Sequence, residues 1–498
     1  MPYDDPAPAD QCGVFGVWAP ADDVARLTYF GIYALQHRGQ QSAGIASSNG
    51  ESILVYKDLG LVSQVFNDQA LEGLKGTHAI GHARYATTGA DVWENAQPTL
   101  GPTAHGTLAL AHNGNLTNTK ALRRFLQDNS LVDGDMARGA STDTAVITAL
   151  MGVSKQLADL GWEGQEVPED AAPLVEAGLR VFPKLLGAFS LVFMDEHHLY
   201  AARDPHGVRP LVLGRLPAGW AVASETAALD IVGATMVREI EPGEFISIDQ
   251  TGISSYRFAP ASPHTCSFEY VYLARPDTRI GGKAIIQARR EMGAELAREH
   301  PVVADIVMST PDSGTPAAIG YAEESGIPYQ QGMVKNSYVG RTFIQPTQLM
   351  RQRGIRLKLN PIREIIKGKR VVVVDDSIVR GNTQRQVVAM LREAGAVEVH
   401  VRISSPPVQW PCFYGIDFAT RAELISSSMS VDEICKSIGA DSLGYLSVNG
   451  MVNATSQQRS ALCSACFTGD YPIEIPVGTP VPGGKGAVSG PARKVNND

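Results

Sequence analysis

The sequence predicts two differently built halves: an α+β half of layered strands and helices, then an α/β half on a parallel sheet. Three observations carry this. Up to about residue 250, short strand-like runs with Gly-rich turns alternate with only a few helical stretches. From about Ile285 onward, strands and helices follow one another in turn. Between the two lies a Pro-containing stretch, 259–264, where the pattern changes.

Bulk properties narrow the function classes. The 498 residues are 44% hydrophobic and 19% charged, enough for cores in more than one domain. A net charge of −9 without a basic face argues against a nucleic-acid partner, because such affinity rests on Lys and Arg neutralising phosphates. Small anionic substrates need only local cations and backbone donors. Residues 1–11 are acidic and rich in Pro and Ala, unlike a secretory signal, and no apolar run is long enough to span a bilayer. The reading is a cytoplasmic protein with no membrane partner. In that reducing compartment, six cysteines point to catalysis or metal rather than disulfides.

In the first half, 187–193 and 243–248 read as strands, and 144–157 and 172–186 as helices. In the second, 302–309 is an apolar strand followed by a turn and a helix over 316–325. Another strand spans 370–375, and a helix over 383–394 stops at Gly395. Val397, Val399, Val401 and Ile403 alternate with polar residues as a third strand. Repeated βα units imply a parallel sheet with ligands at the carboxyl ends of its strands. From 477 the chain is rich in Gly and Pro and reads as a loose tail.

The segment 370–383, RVVVVDDSIVRGNT, is the most informative. A buried strand ends in Asp375 and Asp376, and a Gly-containing loop then opens a helix. The helix start offers free N–H groups and a positive dipole end to a phosphate. The paired acids can accept hydrogen bonds from vicinal ribose hydroxyls, so one unit holds both ends of a ribose 5-phosphate.

This segment resembles the phosphoribosyl pyrophosphate (PRPP) signature of type I phosphoribosyltransferases, and closely the version in amidophosphoribosyltransferases. The resemblance implies that Asp375 and Asp376 hold the ribose hydroxyls, while Ser377, Arg380, Gly381, Asn382 and Thr383 cradle the 5′-phosphate. Asn382 and Gln384 stand where the family often has Thr and Ser, which leaves backbone donors intact and puts particular side-chain contacts in question. The loop 310–315, with Asp312, Ser313, Gly314 and Thr315, looks like the pyrophosphate loop of that family. Upstream of the signature, Lys335 and Arg341 lie in a Gly- and cation-rich stretch resembling the PRPP lid, and Lys358 lies beyond it. Such a lid needs charge to attract a polyanion and mobility to close over it. Mg²⁺ is expected at Ser313, Asp375 and Asp376.

The N-terminal half carries different chemistry. Cys12 opens an apolar strand, and LQHRGQQSAG (35–44), GHARYAT (81–87) and HNGN (112–115) follow. Together these resemble class II glutamine amidotransferases, over essentially all of residues 12–250. That resemblance implies an Ntn-hydrolase αββα fold whose nucleophile is an N-terminal Cys, so residues 1–11 are expected to be a propeptide that is removed. Removal has a physical purpose: a free α-amino group, with a pKa of about 8, can act as base, whereas a peptide nitrogen cannot. By the same resemblance the Asn113 side chain and the Gly114 N–H form an oxyanion hole, Arg84 pairs with the glutamine α-carboxylate, and Asp143 holds its α-ammonium. Arg38 supports the site.

Cys463 and Cys466 form a C-x-x-C pair, while Cys266 and Cys412 stand alone. Spacing does not choose among zinc, an iron–sulfur cluster and a redox dithiol, and donor chemistry alone favours zinc. One branch of the amidophosphoribosyltransferases has a propeptide and a [4Fe–4S] cluster with cysteines at corresponding places, which implies Cys266, Cys412, Cys463 and Cys466 as ligands of a structural cluster. Cys435 fits no such position and is expected to be a buried apolar residue.

The resulting expectation is a glutaminase domain over 12–250, a phosphoribosyltransferase domain over 262–445, a C-terminal segment with cluster ligands over 446–476, and a flexible tail over 477–498. Ammonia freed from glutamine would pass inside the protein to C1 of PRPP, giving 5-phosphoribosylamine at the first committed step of purine synthesis. The family further implies feedback by purine nucleotides and a homotetramer. Two rivals fit less well. A PRPP-sensing DNA-binding regulator is opposed by the acidic charge, and an amidotransferase acting on a sugar phosphate is opposed by the 370–383 signature.

Overall fold

Two antiparallel sheets and one parallel sheet organise the chain, as seen in a computed structural model that describes residues 12–85, 92–169, 171–336, 358–416, 418 and 420–476. Residues 1–11, Arg341 with most of the expected lid, and the tail 477–498 lie outside the described residues.

In the first half, a seven-stranded sheet has Gly13–Trp18 at its centre, flanked by His78–Arg84 and Gly219–Ala223. The six-stranded sheet is built around Leu199–Arg203, Gly187–Met194 and Gly106–Leu116. The sheets face each other across an apolar layer that includes Val14, Ala46, Ile80, Ala109, Ala111 and Val192. Outside the first sheet lies helix Val24–Ala34, whose buried Ala25 and Ile32 meet Phe15 and Val17. Asp23 caps that helix by accepting from the Arg26 N–H. Helices Asp143–Gly152 and Val175–Val181 cover the second sheet over Phe182, Phe189, Phe193 and Phe245. The layers are therefore αββα, as expected.

The second half holds a parallel sheet in the order Ile306–Ser309, Arg370–Asp375, Glu398–Ile403 and Ser442–Tyr445. Val371, Val372, Val373 and Val374 are fully buried, which explains the unbroken valine run. Helices Ile285–Glu299 and Thr315–Ser325 cross at Gly293 and Gly320. A Cβ on either would stand 1.9 Å from a carbonyl oxygen of the other helix. The chain after residue 446 returns to the start of this half, where Leu462–Cys463 pairs in parallel with Thr265–Cys266 and sets Cys463 opposite Cys266.

Several elements differ from expectation. The strand expected over 302–309 begins only at Ile306. The helix expected over 144–157 is two helices, Asp143–Gly152 and Ser154–Asp159, separated at Val153. Over 172–186 the α-helix is confined to Val175–Val181, because Pro183 imposes a 3₁₀ turn. In Glu398–Ile403 the inner polar residues do not face water. His400 and Arg402 are buried and bonded to Ser442. Among the described residues no helix is long and apolar enough to cross a membrane.

Candidate active sites

Strand register assembles the first site. Gly13 pairs with Ala83, which puts Cys12 and Arg84 together at the ends of neighbouring strands. Cys12, Arg84, Gln97, His112, Gly114 and Asp143 line one pocket. The Cys12 thiol donates to the Tyr85 carbonyl at 3.5 Å. Burial pushes this thiol above its ordinary pKa, against the pull of Arg84 and Arg38.

The facing sheet contributes Asn113 and Gly114. Asn113 is fully buried, yet neither the oxygen nor the nitrogen of its carboxamide has a hydrogen-bond partner among the described residues. A buried amide without partners costs free energy, which is characteristic of a group reserved for a ligand. Gly114 has φ +146°, and a Cβ there would stand 2.1 Å from the Ala188 oxygen, so only glycine fits. Asp143 opens helix Asp143–Gly152, behind the Thr142 cap. It accepts from the backbone N–H groups of Leu116 at 3.0 Å and Thr144 at 2.9 Å, with His112 Nδ1 3.6 Å away. Burial pushes the Asp143 carboxyl up, but His112 and those N–H groups outweigh it and keep the carboxyl below its usual range. The pocket thus offers a guanidinium, a carboxylate and the Gly114 backbone around a thiol, a set that can grip both charged ends of an amino acid.

The second site lies at the carboxyl end of the parallel sheet. Ser309 pairs with Val374, so the loop after Ser309 and the loop after Asp375 leave adjacent strands side by side. Asp375 and Asp376 are 7% and 6% exposed, and the Asp376 N–H donates to Asp375 at 2.9 Å. Ser377 donates to Asp376 at 2.6 Å, and Ser313 also hydrogen-bonds it. Burial, and then the neighbouring Asp376 charge, push Asp375 well above the usual carboxylate range, and burial raises Asp376 as well. Gly381, at φ +82°, turns the chain into helix Asn382–Glu393, with Thr383 in its first turn. Arg380 reaches Glu423 at 3.1 Å.

Gly314 sits against the Val374 oxygen, 2.6 Å from where its Cβ would be, and leads into Thr315, whose hydroxyl meets Ser309 at 3.0 Å. Lys335 pairs with Asp312 at 2.7 Å, both exposed. Strands Met333–Lys335 and Leu359–Pro361 form a ribbon at the base of segment 337–357, where the Lys358 carbonyl accepts from the Asn336 N–H at 2.8 Å. Arg341 falls within that segment and outside the described residues.

Cys266, Cys412, Cys463 and Cys466 line a third pocket together with Arg209 and Tyr414. All four are buried free thiols. Burial pushes Cys266 up to about 11 and raises Cys463 and Cys466 above the usual thiol range, so it opposes the thiolate form that a cationic centre would favour. The Tyr414 N–H donates to the Cys412 sulfur at 3.4 Å. Among the described residues no three His, Cys, Asp or Glu side chains are grouped to hold a metal ion. Cys435 departs from expectation: it is half-exposed on helix Val431–Ile438, and its thiol donates to the Ala440 carbonyl.

Sequence reasoning missed Gln97 and His112 in the thiol pocket, and Gln384, which donates to Asp375. It also missed Glu225 and Glu269, both fully buried beneath Arg38. His112 was within a quoted motif and Gln384 was noted only as a departure from one, nine residues from its partner, whereas Glu225 and Glu269 had no local signal, because each acts through Arg38 far along the chain.

Known proteins resemble this chain along most of its length. A family profile described as a glutamine amidotransferase domain matches residues 82–230, and one described as a phosphoribosyl transferase domain matches residues 281–404. The chain is 59% identical over 476 residues to an amidophosphoribosyltransferase of Mycobacterium tuberculosis, covering 94% of this chain and 88% of that protein. It is 46% identical over 485 residues to the amidophosphoribosyltransferase of Bacillus subtilis, covering 96% and 98%. A solved structure of the B. subtilis glutamine PRPP amidotransferase complexed with ADP and GMP matches with a TM-score of 0.85 at 46% identity, covering 95% of this chain and 100% of that one.

Proposed function

The chain belongs to the amidophosphoribosyltransferase family, and from that premise we propose how its two sites divide the work. It is a glutamine-dependent glycosyltransferase that aminates PRPP. The proposed boundaries are 12–250 for the glutaminase and 262–445 for the transferase, with 446–476 as the segment that returns to Cys266.

At the first site, the Cys12 α-amine takes the thiol proton as the sulfur attacks the glutamine side-chain amide. Arg84 holds the α-carboxylate and Asp143 the α-ammonium. The developing oxyanion accepts from the Asn113 amide and the Gly114 N–H, and ammonia leaves with a proton delivered by the Cys12 amine. Water then releases glutamate from the thioester. The observation that carries this reading is that Cys12, Arg84, Gly114 and Asp143 line one pocket, while the Asn113 carboxamide, next in sequence to Gly114, is buried without a partner among the described residues. The amine exists only if residues 1–11 are removed. Intact-mass measurement of purified protein tests this, and retention of the leader in fully active enzyme would refute it.

At the second site, Asp375 and Asp376 take the ribose hydroxyls, while Ser377 and residues 380–383 surround the 5′-phosphate. The pyrophosphate lies against Asp312, Ser313, Gly314 and Thr315, with Lys335, Arg341 and Lys358 contributing lid cations. Ammonia attacks C1 as pyrophosphate departs. Mg²⁺ would be held by Ser313, Asp375 and Asp376 along with substrate oxygens, and would neutralise charge on the leaving group. The two adjacent carboxylates fit an ion that binds through one or two carboxylates and completes its shell with substrate oxygens and water.

The four buried thiols lining one pocket suit a [4Fe–4S] cluster, which takes one thiolate on each iron rather than three donors on a single ion, and it would supply a structural tie between Cys266, Cys412 and the 463–466 turn, with oxygen sensitivity. Purine nucleotides would compete for the phosphate cradle, consistent with the ADP and GMP in the B. subtilis structure. A homotetramer and a cytoplasmic location complete the proposal.

A further inference from the structure

Between the two halves lies a buried ion network that the proposed chemistry leaves without a task. Arg38, Arg209, Glu225 and Glu269 are each 0–1% exposed. Arg38 donates through Nη1 to Glu225 at 2.5 Å and to Glu269 at 3.1 Å, and through Nη2 to Glu269 at 2.7 Å. Its Nε donates to the carbonyl oxygen of Cys12 at 3.3 Å. Arg209 reaches the same Glu269 at 3.4 Å, while its Nε and Nη2 donate to the Tyr414 carbonyl at 2.9 and 2.8 Å. Glu269 lies only three residues after Cys266, on the short helical turn Glu269–Leu273. Two positive and two negative groups balance.

We propose that Glu269 is a positioning residue for the glutamine half-reaction, setting the Arg38 guanidinium against the Cys12 carbonyl. This inference rests on the reading of Cys12 as the nucleophile. A planar guanidinium bound through two nitrogens to one carboxylate has little freedom left, so its third nitrogen points where the carboxylate dictates. The bond matters because of what cleavage removes. Once residues 1–11 are gone, Cys12 is tethered only through Gly13, and the Arg38 contact anchors its backbone from the side. Arg209 also holds Glu269, at the same Oε1, and ties it to the Tyr414 carbonyl. A nucleophile displaced by about an ångström loses rate on the order of a hundredfold. Arg84 and Asp143, which would grip glutamine, are outside this network, so substrate affinity need not change.

Glu269→Gln keeps the shape and removes the charge. The expected result is a fall of at least about tenfold in glutamine-dependent kcat. The KM for glutamine and the ammonia-dependent transferase rate should stay within about twofold. Alkylation of Cys12 by a glutamine-shaped diazoketone should slow by the same factor as kcat. A double variant, Arg38→Met with Glu269→Gln, should be no slower than Arg38→Met alone, because Glu269 acts through Arg38. The double variant also removes the charges together, so it covers the case in which Glu269→Gln alone fails to fold. Wild-type alkylation kinetics in Glu269→Gln would overturn the inference, as would additive losses in the double variant. Failure of the wild-type enzyme itself to be alkylated or to use glutamine would instead sink the reading of Cys12.

Discussion

Gly415 stands directly behind Gly114: a Cβ built on Gly415 would come within 3.1 Å of the Gly114 carbonyl carbon. Close by, the Asn115 side chain donates to the Phe413 carbonyl at 2.9 Å. The loop that begins at Cys412 therefore supports the strand carrying Asn113 and Gly114, and joins the transferase half to the residues proposed as oxyanion donors.

Gly415→Ala should push that strand. Gly415 has φ +112°, so the substitution also strains the loop. Glutamine-dependent activity is expected to fall by roughly tenfold or more, with the ammonia-dependent rate unchanged, since a single oxyanion donor carries that much rate. Steady-state assays with each nitrogen source check this.

Asn113→Ala removes a donor outright. The expectation is a loss of about 10²–10³-fold in glutaminase kcat, with a much smaller change in KM, because the bond would be made to the transition state. Equal losses in kcat and in glutamine affinity would assign the amide to ground-state binding.

Asp375→Asn tests a trade of stability for function. A carboxyl with a raised folded pKa keeps its proton in the folded state over a window above about 3.9, where the unfolded chain has already released it. Stability is lost as pH rises through that window, and the loss persists at neutral pH. The variant is expected to melt roughly 2–4 °C higher than wild type at pH 7.5 without ligand, the shift that about 1 kcal/mol produces in a domain of this size. That advantage should shrink toward pH 4, and PRPP should no longer raise the melting temperature. Calorimetry with and without PRPP measures all three.

Much of this architecture was legible beforehand, for reasons that differ between elements. The valine run ending at Asp375 could be read because a doubly covered parallel strand must be apolar at every position. Cys12 and Gly114 lay in separate quoted motifs, and the structure brings the two into one pocket. Glu225 and Glu269 could not be read: each is an ordinary glutamate in sequence, and only the fold sets it beneath Arg38. The half-exposed Cys435 misled for a similar reason, since a lone cysteine carries no signal of which helix face it occupies.

Cys412→Ser probes the four-thiol pocket. Iron bound per chain in anaerobically purified protein should drop sharply, and the protein should melt earlier, because a bound metal centre contributes its binding free energy to folding. Unchanged iron content and melting would remove Cys412 from the ligand set.

Coupling of the two sites is the claim on which the rest depends. The direct measurement is simultaneous release of glutamate and pyrophosphate by leader-free, anaerobically prepared enzyme, with and without PRPP. The account predicts one glutamate for each pyrophosphate, and a glutaminase rate that rises strongly when PRPP is present. A glutaminase rate indifferent to PRPP, or pyrophosphate release that proceeds with ammonia but never with glutamine, would contradict it.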